Sequence, residues 1–360
     1  MATPRGATYS AGSGVTIAGG RFTAAIATAI AAMSANSMAE YTGTNINASE
    51  TSNHEAATVF MLESTANYPI TNWAGKFGFD AANGLIAGVG TAQGFSSYTP
   101  AGGRSKAVYF DLAADEFSVA WAPTARNEGH IYDGNTSAPM GGYFYRRGYN
   151  SNTIWRMSSP GKVWESFLIT TSFTGSAEQV VALEAFPTLG ASGSLILVGA
   201  TGKVWRYDLA TATGTLLDTV TGTGNYAVCI YVPGADKVVL GGGATGTKLY
   251  TLDTSETLTE ISQTLPGSVE VACSSTSGPT VAHPGNVAAI LTFSNVTDKV
   301  WELNLATGTW AELMTFPAGF AGQADYSVAT ALHGLGAVAL WFGNGRTAGV
   351  TTSEFWIYKA

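Results

Sequence analysis

The side chains able to carry chemistry are few and scattered. Four histidines, His54, His130, His283 and His333, fall in separate segments. None shows the short spacings that place two imidazoles on one face to hold a metal. His130, His283 and His333 each lie near an expected inner strand, so they are candidates to converge on a central axis; histidines exposed at strand ends are the plainer reading. Two cysteines, Cys229 and Cys273, are too few for a disulfide framework or a thiolate metal centre. Cys229 lies in the apolar run Val228, Cys229, Ile230, Tyr231, which suits a buried free thiol, with a Cys229–Cys273 bridge as the alternative. The sequence has no G-x-S-x-G turn and no phosphate-binding loop. Segment 141–150 (GGYFYRRGYN) stands out. Strand alternation puts Tyr143, Tyr145, Arg147 and Tyr149 on one side, where aromatic faces beside a guanidinium can stack on sugars. Packing of the same tyrosines against a neighbouring sheet is the competing reading. No catalytic residue, metal or cofactor is expected.

The elements that must position these groups follow from composition and repetition. Only 12% of residues are charged, while 11% are aromatic and 44 of 360 are glycine, a profile of many short strands joined by tight turns. The net charge of −8 disfavours an electrostatic grip on nucleic acid or on an anionic membrane surface. No run of eighteen apolar residues occurs, so membrane insertion by a helix is not expected.

One phrase recurs: KAVYFD, TIWRMS, KVWRYD, KLYTLD, KVWELN and EFWIYK, ending at positions 111, 158, 208, 253, 304 and 359. The intervals of 45 to 55 residues describe one supersecondary unit with variable loops. Each phrase reads as a strand whose third and fifth residues share a side, for example Trp205 with Tyr207 and Trp301 with Leu303. The Asp, Ser or Asn at its end can start a turn by accepting backbone N–H groups, and a further strand follows. Upstream lies a strand pair, clearest at 226–232 and 237–240 around the turn 233–236. Four strands per unit, with two apolar faces to cover, call for like sheets stacked around an axis.

Strand, glycine-rich end, aromatic-x-apolar-Asp, short turn and Trp together resemble the kelch-type repeat of β-propellers, best in the copy KVWELNLATGTWAEL at 299–313. The turn is also similar to the tryptophan-docking repeats of quinoprotein propellers. The likeness spans about residues 73–360 and implies an all-β propeller of six four-stranded blades, with seven as the alternative. It departs from the kelch pattern in its glycine doublets, clear only at Gly241, Gly242 and Gly243. A copper site of the galactose-oxidase kind would need Tyr, Cys and His brought together, and nothing in the spacing selects them. Sialidase-type propellers need an arginine triad, and Arg104, Arg126, Arg146, Arg147, Arg206 and Arg346 share no register.

The sixth copy lacks a following strand, so the ring is expected to close through the run 57–62 (ATVFML) as outer strand of the last blade. The chain then divides into an arm, 1–52, and a propeller, 53–360. The stretch 22–33 has the apolar character of a signal-peptide core, but a polar, glycine-rich stretch precedes it. In the arm, Phe22, Ile26, Ile30 and Met33 recur at helical spacing. They predict a short helix, packed on its own propeller or docked on another subunit. The function expected is a non-enzymatic structural or adhesive subunit of a large oligomeric assembly, a phage virion tail, fibre or decoration component. Its partners would be other subunits and a host-surface glycan, and its location a virion or extracellular particle. The alternatives are a carbohydrate-binding propeller and a secreted enzyme of the copper-oxidase or glycosidase type.

Overall fold

In the computed structural model the recurring phrase is the third strand of a four-stranded antiparallel sheet in every repeat, and six such sheets form a β-propeller. The structure describes residues 7–11, 16–19, 30–42, 45–46, 75–90, 106–112, 116–121, 133–147, 153–159, 161–169, 181–243, 246–266, 271, 278–285, 287–294, 296–317, 327–343 and 353–360.

Four strands precede the ring: β1 (Ala7–Ala11), β2 (Thr16–Gly19), β3 (Ser37–Thr42) and β4 (Asn45–Ile46). Blade 1 holds β5 (Gly78–Asp80), β6 (Leu85–Gly90), β7 (Lys106–Asp111) and β8 (Glu116–Trp121). Blade 2 holds β9 (Tyr143–Arg147), β10 (Thr153–Ser158) and β11 (Val163–Ile169), with residues 134–136 running beside β9 as its innermost segment. Blade 3 comprises β12 (Val181–Phe186), β13 (Ser194–Gly199), β14 (Lys203–Asp208) and β15 (Thr213–Thr219). Blade 4 comprises β16 (Val228–Val232), β17 (Lys237–Gly241), β18 (Leu249–Leu252) and β19 (Leu258–Glu260). Blade 5 comprises β20 (Thr280–Ala282), β21 (Ala289–Ser294), β22 (Lys299–Asn304) and β23 (Thr309–Thr315). Blade 6 contributes β24 (Ser327–Leu332), β25 (Ala337–Gly343) and β26 (Ser353–Lys359).

The core is divided among the spaces between blades. Val204, Val238 and Leu252 meet between blades 3 and 4, Ile230, Ile290 and Leu303 between blades 4 and 5, and Leu291, Val338 and Tyr358 between blades 5 and 6. Each sheet therefore buries both faces, and the stacking of like sheets supplies the apolar burial that one sheet alone lacks. Trp205 and Tyr207 share the side of β14 facing blade 2, as their spacing predicts, while Val204 faces blade 4. The tryptophan is half-buried, and the ladder slips by one residue beside it. The same irregularity recurs before Trp155, Trp205 and Trp301. The phrase-ending residue starts the expected turn: Asp208 Oδ1 accepts from the N–H groups of Ala210 and Thr211, Asn304 Oδ1 from Ala306 and Thr307, and Asp253 Oδ1 from Ser255 and Thr257.

Closure differs from the sequence expectation. The strand paired with β26 is β3, twenty residues before the run 57–62, which lies outside the described residues. Met38 sits opposite Tyr358 and is buried with Trp356 in the space between blades 5 and 6. Asn36 N–H donates to the Lys359 carbonyl at 2.8 Å, and the Tyr358 hydroxyl donates to Asn36 Oδ1 at 2.7 Å. These long-range contacts hold β3 beside β26. Strands β1 and β2 then extend the sheet outward, in the order β24, β25, β26, β3, β1, β2. The part of the arm between 37 and 42 is thus a piece of the propeller itself. Ile30 and Met33 are buried, with helical backbone at 30–32; Phe22 and Ile26 lie outside the described residues. On the inner side the ring closes by backbone bonds between the segment before β5 and β24, Phe77 N–H to Ala329 O and Ala329 N–H to Gly75 O, both 3.3 Å.

Candidate functional site

The inner strands bring one cation and two carboxylates from three blades to the same buried point. Lys76 precedes β5 and forms a parallel bridge with Ala329 of blade 6. Its ammonium lies 3.1 Å from Asp133 Oδ2 of blade 2 and 3.0 Å from Glu184 Oε2 of β12, and it also donates to the Cys229 carbonyl of β16. An ammonium has three protons, and here each has an acceptor. Lys76 and both carboxylates are at most 2% exposed. The carboxylates are held in turn by main chain: Asp133 Oδ2 accepts from Cys229 N at 2.5 Å, and Glu184 Oε1 from Ser137 N and Ala185 N, both at 2.9 Å. One lysine therefore links blades 1, 2, 3 and 4 and lies at the seam with blade 6.

Burial works against every charge in this cluster. For Lys76 burial alone would favour the neutral amine, but Asp133 and Glu184 outweigh it and hold the ammonium charged, above its ordinary value. For Asp133 burial is the larger influence, opposed by Lys76, and its carboxyl is pushed up to about 6. The two directions agree, because one cation faces two carboxylates and the second carboxylate is incompletely balanced.

Near the same end of the ring, two of the histidines placed by sequence next to inner strands come together. His283 follows β20 and His333 follows β24. His283 Nδ1 accepts from Gly285 N at 3.0 Å, and its Nε2 lies 3.4 Å from Glu302 Oε2. Burial lowers the pKa of each; for His283 the neighbouring Glu302 opposes this, and for His333 the proximity of His283 adds to it. His130 lies outside the described residues.

The thiol of Cys229 faces Phe186 and Val238 between blades 3 and 4 and lies 3.9 Å from the Ile196 carbonyl. Burial pushes it well above the ordinary thiol value, so it is a poor nucleophile, and it is a free cysteine. Tyr231, two residues on, donates to Asp236 Oδ1 at 3.0 Å; burial first, then Asp236, raise it to about 12. Cys273 lies outside the described residues.

Tyr143, Tyr145 and Arg147 do fall on one side of β9, but that strand is second from the axis and the side faces blade 3. Tyr145 and Arg147 are 3% and 1% exposed, and the Tyr145 ring stands edge-on to Phe167 at 5.4 Å. The Arg156 guanidinium lies 4.3 Å from the centre of the half-buried Tyr143 ring. The segment singled out as a sugar platform is thus packed between blades, because an inner strand leaves neither face to water. Tyr149 lies outside the described residues.

Sequence reasoning passed over Lys76, Asp133 and Glu184. A signal existed for one of them. Glu184 interrupts the apolar strand Val181–Phe186, and a carboxylate inside a fully buried strand demands a partner. Nothing local names that partner, 108 residues away. Among the described residues, no three His, Cys, Asp or Glu side chains gather to hold a metal ion.

No known family profile matches the sequence, and no curated protein matches it. Solved structures do. The chain is similar to an auxiliary nutrient binding protein from Bacteroides thetaiotaomicron, with a TM-score of 0.52 and 10% identity over 83% of this chain and 75% of that one. A Bacteroides thetaiotaomicron protein of unknown function gives 0.48 at 10% identity, over 78% of this chain and 70% of that one. A chain of a nidogen/laminin complex gives 0.45 at 10% identity, over 68% and 80%. The likeness is one of fold alone.

Proposed function

We propose that this chain is a non-catalytic binding and assembly subunit of a larger particle, with a virion component as the assembly we favour. The observation that carries the reading is axial. The channel of a propeller is where inner strands can aim polar groups at a ligand, and here Lys76, Asp133 and Glu184 are aimed at one another. A lysine with three acceptors and carboxylates held by backbone N–H groups form a locking device, so recognition falls to turns and edges on a rigid scaffold. The lengthening of blade 6 by β3, β1 and β2 supports the assembly role, since among the described residues β2 ends the sheet with one side of its backbone open to pairing. The low charge and the Ala-, Gly-, Ser- and Thr-rich arm favour a particle subunit over a free enzyme.

Size-exclusion chromatography with light scattering tests this, comparing the full chain with a variant lacking residues 1–19, which removes β1 and β2 and spares β3. The full chain should run as a discrete oligomer and the shortened one as a folded monomer. A full chain that stays monomeric at high concentration would refute the reading.

A further inference from the structure

A cavity of about 400 Å³ lies between blades 4 and 5, beside the turns 233–236 and 305–308. It is separate from the axial cluster and from the extended edge of blade 6. Its walls combine three kinds of group. Thr251 of β18, in register with Val239 and Thr259, is 7% exposed, and its hydroxyl makes no hydrogen bond among the described residues. Thr259 and Ser262 line the same space, and their hydroxyls likewise have no partner among the described residues. Ile261 and Leu305 supply an apolar wall.

The third group is a cation. Lys237, half-buried at the start of β17, makes no ion pair among the described residues. Asp253, the carboxylate that senses it, has Oδ1 occupied by the N–H groups of Ser255 and Thr257. The one acidic side chain in the lining, Glu260, is taken by Lys248 at 2.7 Å. Lys237 is therefore the charge in the lining without a direct ion pair among the described residues, with the Asp253 carboxylate in its vicinity.

We propose that this cavity binds an acidic sugar. Its carboxylate would meet Lys237, its ring hydroxyls Thr251, Thr259 and Ser262, and its C–H face Ile261 and Leu305. The volume sits at the lower end of the range of about 300–1,000 Å³ usual for small-molecule pockets, enough for one or two sugar rings. A phosphate is disfavoured by the donors at hand. The nearby main-chain N–H groups of Ala306, Thr307 and Gly308 are already bonded to Asn304, so no backbone nest is left for a phosphoryl group.

The test uses the full chain and three probes, D-glucuronate, D-glucose and acetate, followed by calorimetry and saturation-transfer NMR. Glucuronate should bind with Kd in the millimolar range, and glucose and acetate at least about fivefold more weakly. Lys237→Met should weaken glucuronate about tenfold and leave glucose unchanged, while Thr251→Val weakens both sugars. Circular dichroism of each variant should match the parent. The proposal is overturned if glucuronate shows no saturable binding up to about 50 mM, if glucose binds as tightly as glucuronate, or if both variants bind like the parent. Oligomer formation is read by a separate measurement, so this site and the assembly role stand or fall independently.

Discussion

Replacing Lys76 with methionine removes the cation that faces both axial carboxylates and keeps most of the side-chain volume. At an effective dielectric of about 20, a contact near 3 Å is worth about 5 kcal/mol of attraction, and Lys76 makes two such contacts. Most of that gain is consumed by taking three charges out of water, so the attraction is not the net stability. What the variant exposes is the uncompensated remainder. Two buried carboxylates lose the one cation paired with them among the described residues, a change that costs about 3–5 kcal/mol. They can escape part of it by binding protons, so the cost should be larger at pH 7.5 than at pH 5. Urea unfolding followed by tryptophan fluorescence at both pH values reads this as a shift in midpoint. The triple variant Lys76→Met, Asp133→Asn, Glu184→Gln leaves no charge in the axial cluster and should regain most of the loss. The reasoning fails if K76M lies within about 1 kcal/mol of the parent at pH 7.5, or if the triple variant is no more stable than the single one.

Three further outcomes are expected elsewhere in the ring and in the same cluster. Asp133 is pushed up to about 6 from an ordinary 3.8, so the folded chain binds this proton more tightly than the unfolded one. Stability relative to Asp133→Asn should therefore fall by about 3 kcal/mol as pH rises through that window and stay level above it, measured by urea midpoints. Met38→Ala should cost about 2–5 kcal/mol and speed proteolysis of the N-terminal strands, because Met38, 1% exposed, plugs the space beside Trp356 and Tyr358 at the closing strand. Gly242→Ala should lower the urea midpoint by the equivalent of about 3 kcal/mol, since φ is +65° there and a Cβ would lie 2.0 Å from the Val271 carbonyl oxygen.

Much of the fold was legible because it is written locally and repeated. The phrase ending at 208, 253 and 304 carries its own strand, its Asx turn and the residue facing the neighbouring blade. The need for a closing strand was also legible, from a sixth copy without a successor. The identity of that strand was not. Ser37–Thr42 is less apolar than ATVFML, and only Met38 and Ala39, opposite Tyr358 and Ile357, mark it as the partner of β26. The same limit applied to Tyr145 and Arg147. Alternation put them on one side of a strand, but burial depends on which strand is inner.

The amino-acid order by itself determined the unit, its strands and turns, and the need to stack such units, because those rest on contacts within about fifty residues and on apolar faces that water penalises. The tertiary structure alone decided what meets at the centre. Lys76, Asp133, Glu184 and the Cys229 carbonyl are separated by up to 153 residues and carry no shared pattern. They are neighbours only because ring closure brings the inner strands of different blades to one axis, and a charge buried there is tolerable only beside its counter-charge.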